Sequence, residues 1–311
     1  MKYSLKFFLI VLIFTQTFIT FAQQDQLYIT YPFMPLNINP AYAGSRETIN
    51  ISGVFRKRPL LSSTFGVAST SQEYFNFDMP IANDKMAIGF QAYNAEQVLG
   101  NGSSGLLGNL GFYGDFAYRF TLPNDGKLAV GVQLGVTQVP VAFSTGGGLG
   151  GGGNTAFNSS IGTGIYYNND DAYFGVSLLN INANDNYNRP LFISGGYVFT
   201  IDDDFKLKTG AVIRKQSSNA GGKTVFDLNA TGWIRDKFGI GVWYQNTGSE
   251  LSNQAILGSF QIQLKKFQFG YAYDFSGSGN TNSLSNEGFH QIMLKYELDS
   301  GNGKSGVFKY F

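Results

Sequence analysis

From residue 47 onward, apolar and polar residues alternate with a period of two, and the alternating stretches are separated by clusters of Asn, Asp and Gly. A period of two places successive side chains on opposite faces of a strand, so each stretch predicts a β-strand with two chemically different sides. In residues 267–275, Phe267, Phe269, Tyr271, Tyr273 and Phe275 share one face, and Gln268, Gly270, Ala272 and Asp274 the other. Residues 238–245 set Phe238, Ile240, Val242 and Tyr244 against Gly239, Gly241, Trp243 and Gln245. Residues 129–137 invert the phase, with Val130, Val132, Leu134 and Val136 against Ala129, Gly131, Gln133, Gly135 and Thr137. Residues 205–214 place Phe205, Leu207, Ala211 and Ile213 opposite Lys206, Lys208, Gly210 and Arg214, with the basic groups expected in water and with Thr209 and Val212 breaking the two faces.

Comparable segments fall near 47–56, 62–77, 86–96, 108–120, 127–139, 157–167, 171–179, 191–200, 205–215, 225–235, 238–246, 254–264, 267–275 and 288–298, about fourteen in all. An even number of strands of roughly 9 to 11 residues suits a transmembrane barrel, which satisfies every backbone group in lipid and leaves no edge. Tight turns are expected at 124–127, 168–171 and 202–204, and longer polar loops at 97–106, 141–156, 181–189, 216–223, 247–253 and 276–287, the usual outer-membrane asymmetry. A soluble β-sandwich would also alternate, but its outer faces would carry more charge than the Gly, Ser, Gln and Asn found here. The expected fold class is therefore all-β: a transmembrane antiparallel β-barrel of about fourteen strands.

The first 22 residues carry Lys2 and Lys6, an uncharged stretch from Phe7 to Ala22, and small residues before a cut at Gln23, the layout of a secretory signal peptide. We accordingly expect a signal peptide at 1–22, an N-terminal arm at 23–46, an outer-membrane β-barrel at 47–298 and a C-terminal extension at 299–311. Removing the signal leaves 20 basic against 21 acidic residues, a charge of −1, with no basic surplus for nucleic acid. Forty glycines, 29 phenylalanines and 18 tyrosines with only 14% charged residues call for an apolar surface on which rings can reside. The absence of cysteine excludes disulfides, thiolate metal sites, a cysteine nucleophile and a cysteine-linked lipid anchor.

Candidate chemistry is sparse. The glycine cluster at 146–153 lacks the strand-to-helix context and the Lys-Ser/Thr ending of a phosphate loop, and reads as an external loop. His290 is the sole histidine and reads as structural or interfacial. Asp25, Asp78, Asp115, Asp227 and Asp274 are a strand or more apart, without the spacing of paired acids or metal ligands. Arg46, Arg56, Lys57 and Arg58 flank the first strand and suggest a lumenal hydrogen-bond network or headgroup contact, with partner docking as the sharper reading. No catalytic, cofactor or metal residue is expected, and an outer-membrane hydrolase finds no clustered nucleophile and base.

Residues 25–44 intersperse Tyr28, Tyr31, Phe33, Met34, Leu36 and Ile38 with Pro32, Pro35, Asn37, Asn39 and Pro40. The prolines forbid a regular helix or interior strand, whereas the aromatics require something to pack against, so an extended arm in the lumen or across the periplasmic mouth is expected. Residues 39–44, Asn39, Pro40, Ala41, Tyr42, Ala43 and Gly44, would turn the chain into the first strand.

That arm, from Asp25-Gln26 through Tyr31 and from Pro35 to Ser45, resembles the N-terminal signature of the PorP/SprF family of type IX secretion system membrane proteins of the Bacteroidota. The resemblance continues in Arg189-Pro190-Leu191-Phe192 with Gly196-Tyr197-Val198-Phe199, in Gly270-Tyr271-Ala272-Tyr273-Asp274, and in Gly288-Phe289-His290-Gln291-Ile292-Met293-Leu294-Lys295-Tyr296. It singles out Asn39, Pro40, Ala41, Tyr42, Gly44, Tyr197, Tyr271, Asp274 and His290 as family-motif and structural residues. Two departures are Phe289 and Gln291, where the family more often reads Gly-Ser-His-Glu, and the tail beyond Leu298, whose Phe311 would serve barrel-assembly recognition or end an extra short strand.

The resemblance implies a non-enzymatic, multi-pass outer-membrane protein that assists secretion and surface attachment of type IX cargo. It implies as partners a gliding-adhesin-type cargo C-terminal domain, peptidoglycan-linked or motor-associated secretion components, and outer-membrane lipid. The alternative is a porin or small-solute transporter, which would require an open lumen.

Overall fold

The structure is a computed structural model that describes residues 31–59, 67–99, 106–123, 125–141, 154–183, 189–217, 222–246, 255–275, 288–300 and 309–311. Fourteen antiparallel strands close into one barrel: β1 (Ile49–Pro59), β2 (Val67–Ile81), β3 (Met86–Leu99), β4 (Leu106–Thr121), β5 (Lys127–Val141), β6 (Asn154–Asn168), β7 (Ala172–Leu178), β8 (Leu191–Thr200), β9 (Phe205–Lys215), β10 (Thr224–Ile234), β11 (Phe238–Gln245), β12 (Ala255–Leu264), β13 (Phe267–Asp274) and β14 (His290–Leu298). Each strand pairs with its sequence neighbours, and β14 returns to β1 with Ile49 opposite Leu298 and Lys57 opposite His290. The expected signal peptide, arm residues 23–30, Asp25, Asn124 and the glycine cluster at 146–153 lie outside the described residues.

The two faces separate as the alternation predicts. Phe269 is 46% exposed on the outer wall, whereas its neighbour Gln268 is 7% exposed in the lumen and donates to Gln261 at 2.9 Å. Val130, Val132, Leu134 and Val136 all face outward, with Ala129 and Gln133 buried within. The lumen holds its own apolar core, in which Val54, Tyr74, Phe192, Trp243, Leu257 and Met293 pack with the arm residues Tyr31, Phe33, Met34 and Ile38. Inward glycines make this packing possible. Tyr93 lies over its cross-strand partner Gly111 and Tyr113 over Gly135, where an added Cβ would overlap the ring. Tyr74, Tyr93 and Tyr113 stack side by side at 6.3 and 6.2 Å, so the glycines cost intrinsic strand stability but admit a continuous aromatic lining.

Short connections join β2 to β3, β4 to β5, β6 to β7, β8 to β9, β10 to β11 and β12 to β13, and all fall at one end, with the longer connections at the other. In single-chain outer-membrane barrels the short-turn end faces the periplasm. The short turns contain left-handed residues such as Ala82, Asn83, Asp84, Asp125, Arg235 and Asp236. The wall is uneven in height, because β2 to β6 run 14 to 16 residues and the remaining strands 7 to 11. At a tilt near 40° a residue climbs roughly 2.6 Å, so the tall side rises about 40 Å and the low side about 25 Å.

Three expectations need correction. The second strand runs to Ile81 rather than 77, because Pro80 sits in the last pairs beside the turn, where a missing N–H costs little. Lys208, expected in water, donates instead to the Tyr310 carbonyl at 2.6 Å and lies 4.8 Å over the Phe311 ring. The end of the tail, Lys309 to Phe311, is not a strand; Phe311 is buried against Tyr173 at 4.6 Å.

Candidate functional site

The arm crosses the lumen on two 3-10 turns, Pro35–Asn37 and Pro40–Tyr42, each with proline in its first turn. Asn39 caps the second by accepting from the Ala41 N–H at 3.0 Å, while its amide donates to the Ile165 carbonyl on β6 at 2.9 Å. Pro40 and Ala41 press their backbone onto Gly131 of β5, and Asn39 presses its side chain onto Gly164 of β6. Tyr42 meets Tyr166 edge-on at 5.4 Å. Gly44 takes φ +66° and donates its N–H to Asp78 Oδ2 at 2.8 Å, a conformation glycine adopts without the penalty of a side chain.

The wall meets the arm with polar groups at each crossing. Asn76 donates to Asn37 at 2.7 Å, Gln91 to the Leu36 carbonyl at 3.1 Å, and Asn229 to the Tyr31 hydroxyl at 3.1 Å. Arg119 donates to the Ala43 carbonyl, and Ser177 to the Ile38 carbonyl. Asp115 accepts from Gln91 at 2.7 Å and Gln133 at 2.9 Å, and Asp78 accepts from Asn50 at 2.7 Å as well as from Gly44. These aspartates therefore organise the arm's bed; among the described residues no group of three or more acidic, histidine or cysteine side chains could hold a metal. At the periplasmic mouth, buried Arg46 pairs with Glu297, and Glu47 pairs with Lys127 and, at 2.6 Å, with Lys309. Buried pairs of this kind fix position more than they add stability, since desolvation offsets most of their attraction. Between arm and tail remains a cavity of about 50 Å³, room for a few waters, bordered by Tyr31, Phe33, Lys208, Trp233, Lys295 and Phe311.

The other family-motif residues lie elsewhere. Asp274 is buried at the loop end of the lumen, where Arg56 pairs with it at 3.3 Å, donates to Gln72 at 3.3 Å and stacks 3.6 Å over the Phe289 ring. Phe289, a departure from the family pattern, thus covers the guanidinium. Tyr271 and His290 face outward and share a 2.8 Å hydrogen bond, and Tyr197 lies outward beside Phe199 near the short-turn end. Of the four basic residues around β1, Arg46 and Arg56 belong to lumenal networks, Lys57 is exposed, and the Arg58 side chain lies outside the described part.

One feature carried no sequence signal. Strand β7 stops at Leu178, so β6 is paired with it only over Thr163 to Asn168, and among the described residues β6 continues upward on that side without a partner strand. Asn182 stands in for the missing strand: its Oδ1 accepts from the Ile161 N–H at 2.7 Å and its Nδ2 donates to the Ser159 carbonyl at 3.1 Å. The Ile181 N–H donates to the Ile161 carbonyl at 2.8 Å. At this depth an unpaired edge would face lipid, which accounts for the asparagine.

The sequence matches the family model described as type IX secretion system membrane protein PorP/SprF over residues 20–296. This chain belongs to the PorP/SprF family. It is an outer-membrane component of the type IX secretion system, a family associated with secretion components and cargo. No curated protein matches significantly. Among solved structures, a FadL homologue of Pseudomonas aeruginosa superposes with TM-score 0.50 at 13% identity, covering 83% of this chain and 92% of its own. Omp33 of Acinetobacter baumannii gives 0.49 at 7%, covering 81% and 98%, and a Rhodopseudomonas blastica porin gives 0.39 at 9%, covering 81% and 99%. The likeness to the FadL homologue is one of fold alone, and the other two are too distant to carry an argument.

Proposed function

We propose that this PorP/SprF barrel is a non-enzymatic docking component that holds type IX cargo at the cell surface, with a gliding-adhesin-type C-terminal domain as its ligand. The observation that carries the reading is the occupied lumen. The arm is seated on glycines and bonded to β2, β3, β4, β6, β7 and β10, and a water-filled solute path would leave such a bed without purpose. A filled barrel offers its partners two surfaces, the external loops with the tall wall, and the periplasmic mouth where Arg46, Glu47 and Lys309 gather. The first suits cargo and the second suits periplasmic secretion components. In this reading Asn39, Pro40, Ala41, Tyr42 and Gly44 hold the closure, Asp274 fixes the loop-end rim through Arg56, and Tyr197, Tyr271 and His290 anchor the wall in the bilayer.

The test is a complete deletion and, separately, shortening of the loops at 146–153 and 277–287, with outer-membrane assembly verified for each shortened protein. Type IX cargo is then measured in surface and medium fractions. Cargo displaced into the medium or missing from the surface supports the reading; unchanged distribution in all three strains refutes it. Solute conductance by the purified intact barrel would favour the porin alternative.

A further inference from the structure

The step in the wall between β6 and β7 leaves a strand edge with an address. Antiparallel strands direct the N–H and C=O of alternate residues to alternate neighbours. Ile161 directs both groups away from β5, toward residues 181 and 182, and Ser159 directs its carbonyl the same way. By the same alternation, the peptide groups of Thr155 and Phe157 and the N–H of Ser159 point to that side. Among the described residues nothing meets those of Phe157, while β5 pairs with β6 along its other edge as far as Val141 opposite Asn154. Phe157 is 68% exposed. At roughly 2.6 Å per residue above the short turn, Phe157 stands about 29 Å up, at or beyond the outer limit of a lipid band roughly 25 Å tall. Below it Asn182 seals the edge; above it, among the described residues, no strand pairs with this side of β6.

We propose that residues 155–159 of β6 receive an extended strand of the secreted cargo polypeptide by β-augmentation. This rests on the cargo-docking reading above and names the element that does the docking. Main-chain hydrogen bonds would supply affinity independent of sequence, and an apolar side chain of the incoming strand would pair with Phe157. A second copy of this chain is a poor occupant. Antiparallel pairing of this edge with itself needs a two-fold axis along the sheet normal, in the membrane plane, which would turn one barrel upside down. Antiparallel self-pairing within one membrane is thereby excluded, and the edge lies on the external end, where a secreted chain arrives.

The closing experiment uses the full chain in cells. Phe157→Pro removes an N–H that faces the open side and leaves the β5 ladder intact, whereas Phe157→Ala keeps the N–H and removes the ring. We expect Phe157→Pro to reach the outer membrane at the normal level and to lose roughly tenfold of surface-held cargo to the medium, with Phe157→Ala retaining most of it. A photo-crosslinking residue at 157 provides the second reading and is expected to join a C-terminal segment of an identified type IX cargo. Normal cargo retention by Phe157→Pro, or crosslinks confined to this chain or a second copy of it, overturns the inference. A complete deletion that leaves cargo in place would instead overturn the docking function itself, so the two failures are distinguishable.

Discussion

The amide of Asn39 donates to the carbonyl of Ile165 at 2.9 Å, joining the arm to a strand 126 residues away. The same side chain caps the turn that carries Pro40, Ala41 and Tyr42, so one residue fixes both the shape of the arm and its place on the wall. Because Gly164 and Gly131 make room for this contact, the wall can be altered without touching the arm.

Gly131→Val would drive a side chain into the Ala41 backbone, whereas Gly114→Val, on the open outer face, meets nothing closer than a carbonyl at 4.0 Å. The lumenal change should displace the arm at a cost of about 1–3 kcal/mol. In planar bilayers we expect new conductance from Gly131→Val and none beyond wild type from Gly114→Val.

Asn182→Ala removes the groups that satisfy the Ile161 N–H and the Ser159 carbonyl. Each unmet group costs about 1–3 kcal/mol where water is scarce. Urea unfolding in liposomes should report a loss of that order, and Asn182→Asp should recover the acceptor half only.

On the wall, Phe269→Arg should impair assembly far more than Gln268→Arg. A lipid-side charge near the midplane costs about 2–4 kcal/mol, while a lumenal one stays hydrogen-bonded. Folding yield into liposomes measures the difference, and equal yields would contradict the assignment of faces.

Asp204 and Arg235 face each other across neighbouring periplasmic turns at 2.9 Å, and the guanidinium's hydrogen bond holds the carboxyl below the usual carboxylate range. A carboxylate with a depressed folded-state pKa stabilises above its unfolded value, and that contribution is lost as pH falls through the folded one. The pair is solvent-exposed, so its effect on stability is small. Arg235→Ala should return the Asp204 titration upward to the ordinary range, read by carboxyl-resonance NMR against pH.

The strands were legible because their faces differ in kind: the aromatic side of residues 267–275 has no place in water and Gln268 has none in lipid. The arm was legible because prolines at 32, 35 and 40 deny it regular structure while its aromatics demand burial. The unequal wall was not, since Glu73 and Glu96, near the loop end of β2 and β3, alternate with their neighbours as lipid-facing residues do. Asn182 gave no sign because an asparagine in a polar loop looks like any other; only the early end of β7 gives it a task. Phe311 suggested a strand terminus, and its actual partners, Tyr173 and Lys208, are 138 and 103 residues away.

The seam between β1 and β14 joins the two ends of the barrel, and Arg46, just ahead of β1, reaches across to Glu297 near the end of β14. The arm runs into β1 at the periplasmic mouth, so this one ion pair ties what fills the lumen to the wall pairing of greatest sequence separation. The seam thus works as a clasp: dislodging the arm and parting the first and last strands both strain the same Arg46–Glu297 contact, which couples the two events.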